Sequence, residues 1–265
     1  MVSTDVVVVG CGPTGVVLAS LLGQLGVSVV VLEREAEVHP TPRATHLDEE
    51  TLRNFQLTGL LPELERHTAP FGVAEVVDET GEVLFGDDVV DRECVHAFEG
   101  SRFFDQVGFE KALRRGLERF PGVKLHTGVS VKSLEPTPSH VVVHATRANG
   151  EPLDLQAAWV VGCDGGKSLC REVMNSGMDS IAPRRPWLIV DTRLRNAEAG
   201  KALPDRFRYL LERERLTIYA HGIGLNRRWE FQLEEGEILG EPMPTRDART
   251  GVLLYEATEG GKPEA

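Results

Sequence analysis

The chain has 265 residues and carries 29 basic against 41 acidic side chains, a formal net charge of −12. This balance is typical of a soluble enzyme and disfavours partners with anionic surfaces, such as nucleic acid or membrane lipid. No apolar run approaches the roughly 20 residues that cross a bilayer, and the first predicted strand leaves no room before it for a signal peptide. We therefore expect a cytoplasmic protein with no nucleic-acid or membrane partner.

Residues 6–33 predict a βαβ unit of the dinucleotide-binding type. The apolar, β-branched run Val6–Val9 predicts a buried parallel strand, residues 16–25 predict a helix, and residues 27–32 predict a second strand. Between the first strand and the helix, three glycines follow the G-x-G-x-x-G spacing: Gly10, Gly12 and Gly15.

The three glycines and Glu33 have separate tasks in such a unit. Gly10 permits the tight turn, Gly12 lets a diphosphate approach the backbone, and Gly15 allows the helix to pack closely on the strand. The free N–H groups at the helix N-terminus then face the phosphates. Glu33 ends the second strand and can accept hydrogen bonds from both ribose hydroxyls of an adenosine. A glycine-rich turn without a ligand is the alternative, but the flanking elements and the acid favour a ligand.

The rest of the chain predicts short helices and many strands. Helices are expected over 48–57 and 108–120, and a glycine-rich element at 162–168 precedes a short helix from about residue 169. The predicted strands are bounded by turn residues and lie at 73–78, 82–85, 123–126, 129–134, 141–146, 153–155, 160–161, 187–194, 206–211, 216–221 and 228–233.

The four cysteines and eight histidines do not predict a metal site or disulfides. The cysteines have no C-x-x-C spacing and no secretory context, so we expect free thiols. His140 and His144 flank a predicted strand, where a spacing of four residues separates side chains by about 13 Å. That distance is too large for one ion, and surface histidines are the simpler interpretation.

Several stretches together resemble one protein family. They are DVVVVGCGPTGVVLASLLGQLGVSVVVLER, PRATHLDEETLRNFQLTGL, DQVGFEKALRRGLERFPGVKLHTGVSV, VVGCDGGKSLCRE and, more loosely, WLIVDTRL and RRWEFQLEEGE. The chain resembles the FAD-dependent aromatic hydroxylases, single-component flavoprotein monooxygenases with the para-hydroxybenzoate hydroxylase fold. It is most similar to the phenol and hydroxyphenylpropionate hydroxylase branch.

The resemblance implies an α/β fold made of two regions. A Rossmann-like FAD-binding domain with a β-meander would comprise residues 1–71 and 98–180. A mixed β-sheet substrate domain would comprise residues 72–97 and 181–240, and residues 241–265 would form a polar tail. The implied function is an NAD(P)H-dependent monooxygenase that hydroxylates a small aromatic or phenolic substrate, with FAD as its cofactor.

The resemblance also assigns roles to single residues around the adenosine diphosphate half of FAD. Gly10, Gly12, Gly15 and Glu33 would hold it. Arg34 would lie near the adenine ribose, although it can instead pair with a neighbouring glutamate on the surface. The backbone at Val131 would meet the adenine.

Further residues are implied at the flavin side of the cofactor. Arg43 would approach the pyrophosphate and the incoming nicotinamide, where a positive charge is chemically apt; a solvated loop arginine is the alternative. Gln106 would contact the flavin side. Asp164, with Gly165 in the Cys-Asp-Gly motif, would serve both the ribityl and pyrophosphate region of FAD and NAD(P)H, with a plain turn as the alternative. The sequence names no catalytic acid or base.

The family's third flavin motif, a Gly-Asp pair followed by a helix, has no counterpart in this sequence. We therefore expect the C-terminal interface region to be missing, and the chain to form a homo-oligomer or to need a complementing second chain. Hydroxylation by the chain alone is doubtful on this interpretation, so a nucleotide-binding remnant or pseudoenzyme is the alternative. An NAD(P)-dependent dehydrogenase is disfavoured, because a Tyr-x-x-x-Lys pair is lacking.

Overall fold

The computed structural model describes residues 2–88, 98, 100–182, 185–213, 215–233 and 253–257. Its helices are α1 (Pro13–Gln24), α2 (Glu49–Leu57), α3 (Leu61–Leu64), α4 (Gln106–Gly116) and α5 (Leu169–Val173), and three single 3₁₀ turns span Glu65–His67, Leu117–Arg119 and Glu198–Gly200.

The strands of the described residues, in chain order, are β1 (Val2–Val9), β2 (Val29–Leu32), β3 (His46–Asp48), β4 (Thr68–Pro70), β5 (Val73–Asp78), β6 (Val83–Asp88), β7 (Ser101–Phe104), β8 (Val123–His126), β9 (Val129–Pro136), β10 (Val141–Arg147), β11 (Pro152–Gly162), β12 (Trp187–Arg193), β13 (Phe207–Leu211), β14 (Leu216–Ala220), β15 (Asn226–Gln232) and β16 (Leu253–Ala257).

A six-stranded sheet with the order β8-β2-β1-β11-β10-β9 organises the first half of the chain. Strands β8, β2, β1 and β11 are parallel, whereas β10 and β9 add an antiparallel meander. The valine runs of β1 and β2 are buried because a parallel sheet is covered on both faces. The predicted Rossmann-like sheet with a β-meander is confirmed.

Helices α1 and α4 pack against each other beside this sheet. On α4, Phe109 and Leu113 are fully buried, and the Phe109 ring meets Phe55 of α2 edge to face with centroids 4.7 Å apart. This apolar stripe fixes which face of α4 turns inward, and thereby where the polar residues next to the stripe lie.

A seven-stranded mixed sheet with the order β16-β12-β15-β14-β13-β5-β6 organises the second half. The predicted hairpin is confirmed, since β5 and β6 pair antiparallel, and β13 runs parallel to β5. Residues 89–97, which complete the segment predicted for this region, lie outside the described residues. Strand β16, Leu253–Ala257, lies within the segment predicted as a polar tail and pairs with β12.

Three short strands form a separate small sheet with the order β3-β7-β4, which the sequence did not predict. Phe103 of β7 packs with Phe71, Phe207 and Ala220 in one buried cluster. Strands of three or four residues carry too little alternation to be recognised from sequence.

The chain divides into two compact units. The first comprises residues 1–42, 53–66 and 106–179, and the second comprises residues 43–52, 67–105 and 180–265. Residues 43–52 and 98–105 thus group with the second unit, whereas the sequence placed them in the FAD-binding region. Within the described residues, no helix combines the length and the apolar character needed to cross a membrane.

Strand β11 is longer than expected. The sequence predicted two separate strands at 153–155 and 160–161, but one strand runs from Pro152 to Gly162 and pairs with both β1 and β10. Its polar and small residues in the middle obscured the alternation, and pairing on both sides supplies the order that the pattern lacks.

Candidate functional site in the first unit

Three neighbouring parallel strands bring the predicted nucleotide residues to one edge of the sheet. Gly10 follows β1, Glu33 follows β2, and Cys163 follows β11, so all three lie at carboxyl ends of strands. Two hydrogen bonds continue the strand pairing there: Gly10 N–H donates to the Leu32 carbonyl (2.8 Å), and Cys163 N–H donates to the Val9 carbonyl (2.7 Å). Ligands of open α/β sheets bind at this edge.

Gly10 and Gly15 are required by close packing of the backbone. Gly10 has a φ of 99°, and a Cβ atom there would collide with the Cys163 carbonyl. A Cβ atom at Gly15 would collide with the Gly10 carbonyl. Any larger residue at either position would push the loop, helix α1 and the 162–166 loop apart, so these two glycines shape the site from within the fold.

Gly12 is different, because open space lies where its side chain would be. A Cβ atom there meets no heavy atom within 4 Å, and its φ of −73° is one that any residue adopts. Gly12 is the N-cap of α1, and no side chain caps this helix. The backbone therefore offers a helix N-terminus with room in front of it, which fits the diphosphate of a dinucleotide.

Glu33 lies against the glycine loop with its carboxylate nearly buried. Oε2 accepts a hydrogen bond from the Cys11 N–H (2.7 Å), and Oε1 accepts one from the Glu35 N–H (2.9 Å). A carboxylate has about four lone-pair positions, so each oxygen retains capacity for a ribose hydroxyl. These two bonds fix the carboxylate beside the loop that the sequence predicted it would serve.

Arg34 and Val131 flank this acid. Arg34 Nε is 3.4 Å from Glu35 Oε1, and both side chains are exposed, which is the surface pair that the sequence left open. Strand β9 begins beside Glu33, where Val129 N–H donates to the Glu33 carbonyl (2.9 Å). Val131 lies two residues further along β9.

Asp164 is held by the start of helix α5. Its Oδ1 accepts a hydrogen bond from Ser168 Oγ (2.6 Å), and its Oδ2 accepts one from the Cys170 N–H (3.1 Å). Burial tends to raise the pKa of Asp164, but these hydrogen bonds outweigh it and lower the pKa below its ordinary value. Gly165 has a φ of 81°, which explains a glycine after the aspartate.

The two remaining predicted residues lie in different units. Gln106 is the buried first residue of α4, and its Nε2 donates to Glu110 Oε1 (2.6 Å) within the first unit. Arg43 is exposed and begins the second unit. The structure therefore brings Gln106 into the first unit with the other residues, whereas the role of Arg43 stays a prediction.

The thiols at this edge lie in surroundings that disfavour the thiolate form. Burial raises the pKa of Cys11 to about 12, and burial likewise raises the pKa of Cys170 to about 12. Both are free cysteines in the described structure, as is Cys163. Nucleophilic chemistry requires the thiolate, so small size accounts for these residues better than redox chemistry does.

Sequence reasoning missed Arg114, which lies on α4 beneath the glycine loop. Its Nε donates to the Cys11 carbonyl (3.2 Å), and its Nη2 is 3.9 Å from Glu33 Oε2. The side chain is only 13% exposed. A signal was present: Gln106, Glu110 and Arg114 recur every four residues, next to the apolar stripe of the same helix.

The second unit carries a separate cluster of aromatic side chains. Phe71 and Phe207 are buried and stacked, with ring centroids 5.3 Å apart. His46 lies against Phe71 (5.4 Å), and His221 approaches Phe103 (6.3 Å). Partial desolvation lowers the pKa of both imidazoles, which favours their neutral form.

A buried ion pair lies in the same sheet of the second unit. Arg228 is 3% exposed and forms a two-pronged pair with Asp191, with Nε–Oδ1 at 2.7 Å and Nη2–Oδ2 at 2.8 Å. Bidentate pairing of this kind satisfies the charge of a buried arginine.

Fold and site together define a dinucleotide-binding α/β protein. Residues 3–220 match the family described as the FAD binding domain, and the chain belongs to that family. FAD, the cofactor predicted from the sequence, is the cofactor for which this family is named.

Curated relatives are hydroxylases. The chain is 34% identical over 239 residues to the 3-(3-hydroxy-phenyl)propionate/3-hydroxycinnamic acid hydroxylase of Mycobacterium sp. (strain JLS), a match that covers 88% of this chain and 39% of the relative. The enzyme of the same description from Paraburkholderia xenovorans (strain LB400) is also 34% identical, over 89% of this chain and 37% of its own length. The chain thus spans about two fifths of these relatives.

Solved structures show the same fold at low sequence identity. The p-nitrophenol 4-monooxygenase PnpA of Pseudomonas putida DLL-E4 has a TM-score of 0.79 and 22% identity, covering 90% of this chain and 60% of that one. Aklavinone-11 hydroxylase, solved with FAD and aklavinone, has a TM-score of 0.75 and 21% identity, covering 89% of this chain and 47% of that one.

Proposed function

We propose that the chain binds the adenosine diphosphate part of FAD at the carboxyl edge of its six-stranded sheet, as part of an NAD(P)H-dependent hydroxylase of aromatic compounds. The observation that carries this proposal is that Gly12 and Glu33 lie at the same loop. Gly12 leaves open space before an uncapped helix, and Glu33 lies against the same loop. A diphosphate and a ribose need these two features side by side.

The other predicted residues are assigned around this centre. Gly10 and Gly15 give the loop its close packing, Val131 lies on the strand beside Glu33, and Asp164 with Gly165 forms the neighbouring loop. Gln106 would face the flavin side, and Arg34 and Arg43 would lie near the ribose and the pyrophosphate.

When bound, FAD would supply the redox chemistry: it accepts electrons from NAD(P)H and allows molecular oxygen to be activated. The residues of this chain bind and orient. The α1 N-terminus stabilises negative charge on phosphate, and Glu33 accepts hydrogen bonds from sugar hydroxyls. No proton-transferring residue is assigned.

An aromatic substrate is proposed for the second unit. The support lies in the names of the relatives, since the phenylalanines of this unit, Phe71, Phe103 and Phe207, are buried core side chains. The relatives' names give hydroxyphenylpropionate, hydroxycinnamic acid and p-nitrophenol as compounds that those proteins act on.

We also propose that the chain assembles with a second copy or with another polypeptide. In the first unit, large apolar side chains are exposed, among them Leu25 (79%), Trp159 (71%) and Met174 (72%). Apolar surface of this kind marks association sites in soluble proteins. A monodisperse monomer in light scattering, at concentrations up to those used for crystallisation, would contradict this part.

The expected cytoplasmic location stays a prediction.

The direct test is to purify the chain, titrate it with FAD and with ADP, and then measure NADPH and NADH oxidation with a panel of phenols. A yellow protein that consumes NAD(P)H supports the hydroxylase. A colourless protein that binds ADP alone supports the nucleotide-binding remnant, which gains no support from the relatives. Failure to bind either nucleotide rejects the whole proposal.

A further inference from the structure

The peptide group of Cys11 is held from both sides. Its N–H donates to Glu33 Oε2 at 2.7 Å, and its carbonyl accepts a hydrogen bond from Arg114 Nε at 3.2 Å. Arg114 Nη2 also lies 3.9 Å from the same Glu33 oxygen. One acid and one base from distant parts of the sequence thus bracket a single residue of the glycine loop.

This bracket acts on a residue whose side chain is buried and whose neighbour Gly10 is already held, because the Gly10 N–H donates to the Leu32 carbonyl. Gly10 and Gly12 flank it, and glycine lacks the side chain that limits backbone rotation in other residues. Burial of the Cys11 side chain and the backbone hydrogen bonds of Gly10 and Gly12 already limit this loop. The two hydrogen bonds at Cys11 additionally fix the directions of its own N–H and carbonyl.

The burial of Arg114 indicates that its contacts with Glu33 and the Cys11 carbonyl are structural, since a surface arginine would be solvated. Its side chain is 13% exposed and that of Glu33 is 11% exposed. A buried cation is costly unless it is paired and hydrogen-bonded. On the same face of α4, Glu110 is 3% exposed and accepts from Gln106 Nε2 at 2.6 Å. Polar residues therefore line α4 from its first residue to the point beneath the loop.

We propose that Arg114 is a positioning residue for the glycine loop: through the Cys11 carbonyl and Glu33 it fixes the loop in the conformation that receives the diphosphate. The inference rests on the proposed nucleotide site. Arg114 acts through Cys11 and Glu33, and no direct contact with the nucleotide is assigned to it.

The experiment compares Arg114→Met and Arg114→Lys with Arg115→Met in the full chain. Arg115 is the adjacent residue, but it is 58% exposed and pairs with Glu63 at 2.9 Å, so it is a matched control. Two quantities are measured: the ADP dissociation constant by calorimetry, and the rate of amide hydrogen exchange across residues 10–12 without nucleotide.

We expect Arg114→Met to weaken ADP binding about tenfold, the effect of losing one charge-assisted hydrogen bond, and to speed exchange in the loop. Arg114→Lys should have ADP affinity and loop exchange between those of the wild type and Arg114→Met, because a single ammonium cannot replace the guanidinium fork at both partners. Arg115→Met should change neither quantity. Should Arg114→Met fail to fold, Arg114→Lys carries the comparison.

A mutant cycle separates positioning from general packing. If Arg114 acts through Glu33, the two substitutions remove the same interaction. The double variant Glu33→Gln/Arg114→Met should then lose less ADP affinity than the product of the fold-losses of the two single variants. Independent effects, or wild-type ADP affinity with unchanged loop exchange, would overturn the inference. If the unaltered chain binds no ADP, the proposed function fails, and loop exchange alone still decides whether Arg114 orders the loop.

Discussion

The three glycines of the loop look equivalent in sequence but have different roles. Gly10 and Gly15 face backbone atoms at distances no side chain tolerates, whereas Gly12 faces open space. Substitution at the first two therefore tests the fold. Substitution at Gly12 tests the ligand site, because a Cβ atom added there meets no heavy atom within 4 Å.

We predict that Gly12→Val lowers ADP affinity at least about tenfold while the free energy of unfolding changes by less than about 1 kcal/mol. Calorimetry and urea titration measure the two effects. Gly177→Val is the control, since a Cβ atom added at Gly177 would also meet no atom within 4 Å and its φ is not positive. Unchanged ADP binding in Gly12→Val would show that no phosphate approaches this residue.

We predict that Cys11 and Cys170 resist alkylation at pH 8. Burial raises the pKa of each thiol to about 12, so only about one molecule in 10,000 carries the thiolate at that pH. Labelling with iodoacetamide, mapped by mass spectrometry, should leave both unmodified in the native protein and modify both in urea. Native labelling at the rate of free glutathione would contradict the assigned burial.

At the scale of elements, helix α5 is held at its first turn by two side chains. Ser168 is the N-cap and accepts a hydrogen bond from the Arg171 N–H (2.9 Å), while its own hydroxyl donates to Asp164. The Asp164 carboxylate also accepts from the Cys170 N–H. This arrangement ties the Cys-Asp-Gly loop to the helix that follows it.

We predict that Ser168→Ala destabilises the protein by about 1 kcal/mol, the usual loss for an N-cap. Ser180→Ala is a suitable control, because the Ser180 side chain is exposed and bonds only locally to the Ala182 carbonyl. Urea unfolding followed by circular dichroism measures both variants. Equal stability of the two would show that the cap contributes nothing.

Stability at the same helix should depend on pH in a defined direction. The folded pKa of Asp164 lies below its unfolded value of about 3.9. Its contribution is therefore present above that unfolded value and is lost as pH falls through the folded pKa. The stability difference between the wild type and Asp164→Asn should be constant from about pH 5 to 7 and shrink below about pH 4. A difference that grows on acidification would reverse this assignment.

Much of the first unit could be predicted from sequence, because its signals are local. The valine runs and the glycine spacing suffice for β1, α1 and β2, and Glu33 follows from its place at a strand end. The bracket around Cys11 could not be predicted, since Arg114 and Cys11 are 103 residues apart and only packing of α4 brings them together. The small β3-β7-β4 sheet was missed for a different reason, because its strands are only three or four residues long and show too little alternation.

At the scale of the whole molecule, the second unit has its own stabilising charge cluster. The Glu75 carboxylate is 7% exposed and accepts hydrogen bonds from Arg206 and from Arg208 Nε (2.9 Å). Burial tends to raise the pKa of Glu75, but the two arginines outweigh it and lower the pKa. Both arginines keep partial access to water.

We predict that Glu75→Gln destabilises the protein by about 2 kcal/mol, less than for a fully buried pair because the arginines can be rehydrated. ADP affinity should stay at the wild-type value, since Glu75 belongs to the second unit. Thermal unfolding and calorimetry measure the two quantities, and Glu79→Gln, at an exposed pair with Arg213, is the control. Loss of ADP affinity in Glu75→Gln would contradict the assignment of the nucleotide site to the first unit.

The position of β1 between β2 and β11 has a consequence for biosynthesis. Val7 pairs with Val30 on one side and with Val160 on the other. One edge of β1 therefore stays unpaired until β11, far downstream in the chain, has been synthesised. Contacts of such long sequence separation form slowly. Until β11 has been synthesised, a valine-rich strand presents an open edge that can pair with other chains. Fragments that end before residue 152 should therefore accumulate as aggregates, and the growing polypeptide should depend on chaperones during that interval.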